Sequence, residues 1–300
     1  MLTRNPSNSI PVGEGPRGIA ISDDGSRFFV CNYMSGTVSV IDTRDKKVIH
    51  TIAVEQYPRS IALGHGGKRA YVTNYGSSSV SVIDTETYAV GNVMVGRHPW
   101  DVVVSRDGKQ VYVTVRQDKE WLAIIDTCTF TVSRVRGLPS PSISVDISQD
   151  DSRLYISSTN APGSPYQDAL TVLSSKTFEI IDIIKTEQYP SAATVSPDGR
   201  KVYIVCQDSR MLTVLDTDST TPRHFDFVTC EGKIVFGKKN AYAVDQTNKE
   251  VVEVNTATYE IVRRVPIPSA CEPYEMVLDQ HNRAYISDYL GDEVHIVDLT

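Results

Sequence analysis

Four short stretches of this 300-residue chain carry side chains able to move protons or hold an anion. They are Gly15-Pro-Arg17, Tyr57-Pro-Arg59, Arg97-His-Pro-Trp-Asp101 and Glu272-Pro-Tyr-Glu275, each built on a proline. Guanidinium forks match carboxylates in shape, so Arg17, Arg59 and Arg116 are expected to hold an anionic group. Carboxyl, phenol and imidazole groups beside a bound molecule can exchange protons with it, which makes Glu272, Tyr274, Glu275, Asp101 and His98 the expected acid–base set. Trp100, Tyr33, Tyr75 and Tyr289 offer ring faces for stacking, and Glu231, Asp288 and Tyr166 complete the expected binding set.

Residues this far apart meet only if the fold returns equivalent positions to one place, and the chain does repeat. An aromatic that opens one strand lies 13 residues before the Asp or Asn that closes the next in Phe29 to Asp42, Tyr71 to Asp84, Tyr203 to Asp216, Tyr242 to Asn255 and Tyr285 to Asp298. Two further copies are longer: Tyr112 to Asp126 spans 14 and Tyr155 to Ser174 spans 19. The closing positions recur every 39 to 48 residues. Such a period, with four short strands per copy, predicts a β-propeller. Seven copies predict an all-β, seven-bladed ring of four-stranded antiparallel blades, with residues 1–300 as a single domain. Thr300 falls just after the third strand of the last copy, while Asn8-Ser-Ile-Pro-Val-Gly13 matches Gly91-Asn-Val-Met-Val-Gly96. Residues 8–12 are therefore expected to pair beside Glu293 to Val297 and close the ring, removing its exposed edges.

Turns such as Ser22-Asp-Asp-Gly-Ser26, and the Asp-Thr pairs at Asp42, Asp84, Asp126 and Asp216, repeat too regularly to be a site. Their short side chains bond local backbone and read as turn formers. The loops at the other ends of the strands differ between copies, so that face is the expected functional surface. It carries the charged and aromatic set above, with arginines on units one to three and acids on units six, seven and the start of one. Its longest loop, 157–168, is expected to act as a lid with Tyr166 reaching inward.

Tyr71-Val-Thr-Asn74 followed by Ser79-Val-Ser-Val-Ile-Asp-Thr85 resembles the YVTN-repeat family of seven-bladed propellers. The resemblance implies the fold. Propellers of that kind serve as surface proteins, enzymes and binding modules, so it implies no single activity. Streptogramin-type lyases are similar in length, and Glu272-Pro273 matches the position of their glutamate. Tyr274 stands where they carry a histidine, and Cys230-Glu231-Gly232 lacks the second one.

The formal net charge of −7 argues against a phosphate-backbone binder, so no nucleic-acid partner is expected. Met1 to Asn8 lacks the apolar core of a signal peptide and no apolar run approaches a membrane span, which predicts a cytoplasmic protein without a membrane partner. Five cysteines without a CxxC pair suit free thiols. No HxH, HxxE or HExxH spacing occurs, so no metal ligand set and no cofactor is expected; a divalent metal held by channel carbonyls would leave no motif. Two functions fit these residues. One is a small-molecule enzyme using acid–base chemistry at the propeller mouth on a polar or anionic metabolite, as a lyase, cyclase, isomerase or lactone hydrolase. The other is a non-catalytic protein- or ligand-binding module. A deep pocket of convergent side chains would favour the first, and a filled channel the second.

Overall fold

The computed structural model describes residues 8–116, 121–138, 141–159 and 168–300. Their strands form seven four-stranded antiparallel sheets. Six are made of consecutive strands; the seventh is completed by Ser9–Pro11, which lies outside Glu293–Asp298, Arg283–Asp288 and Pro273–Leu278. Ser9 faces His295, Ile10 faces Val294 and Pro11 faces Glu293. The N-terminal strand thus closes the ring where the repeat places it.

The core lies between blades rather than within them. Each hydrophobic cluster among the described residues joins two adjacent blades: Val38, Val40, Val72 and Ile83 join blades one and two, and Ile10, Phe28, Tyr285 and Val294 join blades seven and one. The repeating aromatics are the plugs of these seams. Phe29, Tyr71, Tyr112, Tyr155, Tyr203 and Tyr285 are all buried. At about 25 cal/mol per Å² and 150–250 Å² per ring, each contributes several kcal/mol of gross burial.

On the turn face the repeated polar residues tie strand ends together. Asp84 accepts from the amides of Glu86 and Thr87, and Asp126 from those of Cys128 and Thr129. Thr43, Thr127 and Thr217 each donate to the carbonyl of a turn glycine, Gly25, Gly108 and Gly199. These acids are structural, as their regularity predicts.

What positions the opposite face is the innermost strand of each blade. These strands are Pro16–Ile21, Pro58–Leu63, Pro99–Val104, Ser142–Ile147, Pro190–Val195, Val235–Phe236 and Pro273–Leu278. A proline can head a strand because its missing N–H leaves no ladder bond unmade there. Just after it, pairing with the second strand slips: the register shifts between Pro16 and Ile19, Pro58 and Ile61, Pro99 and Val102, and Pro273 and Met276. A bulge of this kind bends the strand and re-aims its side chains. Gly18 sits where neighbouring inner strands come close, since a Cβ there would come within 2.5 Å of the Arg59 carbonyl.

Candidate functional site

The bulges set two layers of side chains around the axis, one residue apart in sequence. The first residue after each proline forms the outer layer, at the mouth: Arg17, Arg59, Trp100 and Tyr274, with Ile143 and Ser191 at the equivalent places of blades four and five. The second forms the layer beneath: Gly18, Ser60, Asp101, Ser144, Ala192, Lys233 and Glu275. Blade six lacks the proline, and Lys233 occupies the inner position there because the register of Val235 with Tyr242 carries it to that level.

The outer layer is a cluster of cations on rings. Arg17 lies over Tyr33, Tyr274 and Tyr289 at 4.8, 4.6 and 4.5 Å from their centroids. Trp100 is flanked by two guanidiniums, Arg59 at 3.4 Å and Arg116 at 4.3 Å. Arg17 and Arg59 both donate to the phenol oxygen of Tyr274, at 2.9 and 3.0 Å. Neither is in an ion pair among the described residues, and the buried Nε of Arg17 has no partner among them. Further rings extend the cluster outward. Tyr33 stacks on Tyr57 at 5.0 Å, and Tyr75 stacks on His98 at 4.6 Å and meets Trp100 edge-on at 5.7 Å. Tyr57 and His98, each preceding a proline, are held at φ of 56° and 53°. A bulky residue in the left-handed region costs of order 1–2 kcal/mol, a strain typical of binding sites.

The inner layer is a set of charges. Lys233 of blade six reaches across the channel to Asp101 of blade three, Nζ to Oδ2 at 2.8 Å, and donates to the Val145 carbonyl at 3.2 Å. Asp101 also accepts from Ser60 Oγ at 2.9 Å, Ser144 Oγ at 3.0 Å and the amides of Val102 and Val145. Burial alone would raise the Asp101 carboxyl, but the Lys233 charge and these donors hold it below its ordinary value. Burial would likewise lower the Lys233 ammonium, and Asp101 and Asp146 hold it above its own. Both partners are ionised. Glu275 differs: burial first, then repulsion from Asp101, raises its carboxyl, with Lys233 and Arg59 only partly offsetting this. Burial also raises the Tyr274 phenol, with Arg59 and Arg17 pulling it down and Glu231 pushing it up.

The free space between the layers is small. The cavity lined by Arg59, Trp100, Asp101, Glu231, Tyr274 and Glu275 measures about 40 Å³, room for a few waters and far below the roughly 300 Å³ at which pockets for drug-sized ligands begin. A much larger concavity lies elsewhere. It is an open groove of about 1630 Å³ on the turn face, where the shortened turn at Gly237 to Asn240 uncovers the seam between blades six and seven. Its two arginines are already paired, Arg283 with Asp279 and Arg263 with Glu253, each at 2.7 Å. We place the candidate site at the mouth, where guanidiniums lack such partners.

The structure gathers Arg17, Arg59, Arg116, Trp100, Tyr33, Tyr75, Tyr289, Tyr274 and His98 into one cluster, with Glu275 beneath and Glu231 beside it. Three expectations need correction or fall away. Asp101 is not placed to carry protons, because both its oxygens are committed to Lys233 and to fixed donors. Asp288 is turned away from the mouth cluster: it is fully buried and accepts from the amides of Cys271 and Glu272 at 2.7 and 2.6 Å, fixing the connector before Pro273. That connector leaves Glu272 half-buried at the rim. Tyr166, and with it most of the expected lid, lies outside the described residues. Sequence reasoning passed over Lys233, whose signal was its place two residues after Glu231, like Asp101 after Pro99. Burial pushes the Cys230 thiol up to about 12, so it is no nucleophile.

No helix is long and apolar enough to cross a membrane among the described residues. Residues 1–140 match the family model described as Lactonase, 7-bladed beta-propeller. The seven-bladed beta-propeller protein Rv1057 of Mycobacterium tuberculosis is 30% identical over 187 residues, which are 62% of this chain and 36% of that protein. The match thus spans little more than a third of that relative's length. Among solved structures, Kuenenia stuttgartiensis hydrazine synthase superposes with a TM-score of 0.86 at 19% identity, covering 100% of this chain and 99% of that one. Virginiamycin B lyase from Staphylococcus aureus gives 0.79 at 15% identity over 95% of each chain. At these identities the likeness is one of fold. By sequence match and by architecture alike, the chain is a seven-bladed β-propeller of four-stranded antiparallel blades.

Proposed function

We propose that the protein is a ligand-binding propeller whose mouth recognises a carboxylate carried on a flat, unsaturated ring. One observation carries this reading: Arg17 and Arg59 lie against ring faces, hydrogen-bond to the phenol oxygen of Tyr274, and form no ion pair among the described residues. Stacking leaves the in-plane N–H fork of a guanidinium free to grip a carboxylate in bidentate fashion. The rings of Tyr75 and Tyr33, with the edge of Trp100, then offer apolar surface against which the rest of the ligand can lie. A channel with space for only a few waters suits surface capture better than a buried reaction.

The chain's two tryptophans make this measurable, since a Trp121→Phe background leaves Trp100 as the sole indole reporter. Benzoate should change Trp100 fluorescence saturably and benzamide should not, and Arg59→Met should abolish the difference. Equal responses to both probes would overturn the reading.

A second reading, hydrolysis of a lactone at the same mouth, is favoured by Glu275. Its raised carboxyl would keep a proton available for a leaving alkoxide, and the family match over residues 1–140 points the same way. Tyr274 would then have to turn away from its two arginines to admit substrate. Steady hydrolysis of dihydrocoumarin in a pH-stat, lost in Glu275→Gln, would establish this reading in place of simple binding.

A further inference from the structure

Blades six and seven carry the same pair of acids at the same place. Asp245 faces Glu250 across the hairpin of blade six, and Asp288 faces Glu293 across that of blade seven. Two adjacent carboxylates, one of them buried, require a cation between them. Blade six supplies it from its outer strand, where Arg264 Nη1 lies 3.2 Å from Asp245 and 3.3 Å from Glu250. Arg264 stands opposite Val252. In blade seven the outer strand is the borrowed Ser9–Pro11, and the residue in the place of Arg264 is Ser9, which bears no charge. The residue in the place of Val252 is instead His295, with Nε2 2.9 Å from Asp288 Oδ2 and 3.5 Å from Glu293 Oε1.

An imidazole can meet this demand in two ways, by holding a proton or by giving its lone pair to a metal ion. The geometry suits the second. One ligand atom from each of the three residues lies within 4.8 Å of the others. Separations of 2.9 and 3.5 Å are those of neighbouring ligands around an ion bound at about 2.0–2.2 Å. The amides of Cys271 and Glu272 hold Asp288 from behind, as outer partners hold metal-binding carboxylates. His295 and Asp288 are buried, while the Glu293 side chain is 25% exposed and leaves a way in from solvent. We propose that Asp288, Glu293 and His295 form a site for a divalent transition metal such as Zn²⁺ or Mn²⁺. Binding ties the closing blade's terminal hairpin to the connector before Pro273.

The test is calorimetric titration of the EDTA-treated full chain with ZnCl₂ and with MnCl₂. One saturable site is expected, weakened about tenfold or more in both Glu293→Gln and His295→Gln, with metal raising the melting temperature of the wild type only. Glu293→Gln is the decisive variant, because it leaves the buried Asp288 contacts in place and should fold. No saturable binding of either ion to the wild type, or binding to both variants as strong as to the wild type, would overturn the proposal.

Discussion

The two layers at the propeller mouth are one residue apart in sequence and opposite in character. The outer layer of Arg17, Arg59, Trp100 and Tyr274 is half-open or ring-lined, and its cations rest on aromatic faces. The inner layer of Asp101, Lys233 and Glu275 is a set of acids and an amine, and its main charges are paired across the channel. A cation on a ring keeps its hydrogen-bonding fork for a newcomer, whereas a cation on a buried carboxylate has already used it. Adjacent residues on one strand can therefore serve recognition and cohesion separately.

Breaking the inner layer should cost the most. Lys233→Met strands Asp101 without its counter-charge and is expected to lower stability by about 3–5 kcal/mol, read by chemical denaturation. The double variant Asp101→Asn/Lys233→Met should recover most of that loss, since no uncompensated charge remains. Breaking the outer layer should spare the fold and cost affinity. Trp100→Ala removes the platform under Arg59 and Arg116 and should weaken benzoate binding roughly tenfold, about 1–2 kcal/mol, measured calorimetrically.

Glu275 sharpens the contrast through pH. Its carboxyl is raised in the folded state, so the fold binds its proton more tightly than the unfolded chain does. That stability is fully present below the unfolded carboxyl value of about 4.3 and is lost as pH rises through the folded value. Glu275→Gln should thus match the wild type near pH 4 and exceed it at pH 7–8, in paired denaturation curves. The smallest effect belongs to the rim. His98→Gly relieves a positive φ but loses the stack on Tyr75, so stability should stay within about 1 kcal/mol while affinity falls several-fold.

The ring was legible in the sequence because its seams are filled by recurring aromatics and its turns by recurring acids, and a repeat makes each copy vouch for the next. Most of the mouth was legible for the same reason, since the prolines mark one level in five blades. Lys233 escaped because blade six has no proline to mark that level. For Asp101 and Asp288 the sequence shows a carboxylate but not the amides and ammonium that surround it in the fold. The Asp288, Glu293 and His295 grouping has no linear motif: its members meet across a hairpin, where pairing rather than spacing sets their distance.

If the mouth is the binding site, the outer layer, and not the groove on the turn face, takes the ligand. A crystal soaked with 4-bromobenzoate tests it most directly, because the bromine is located by its anomalous scattering. The bromine is expected against Trp100 and Tyr75, with the carboxylate turned to Arg59 and Arg17. A bromine found only in the groove beside Asp279 and Asn282, or a mouth left unchanged at saturating ligand, would contradict it.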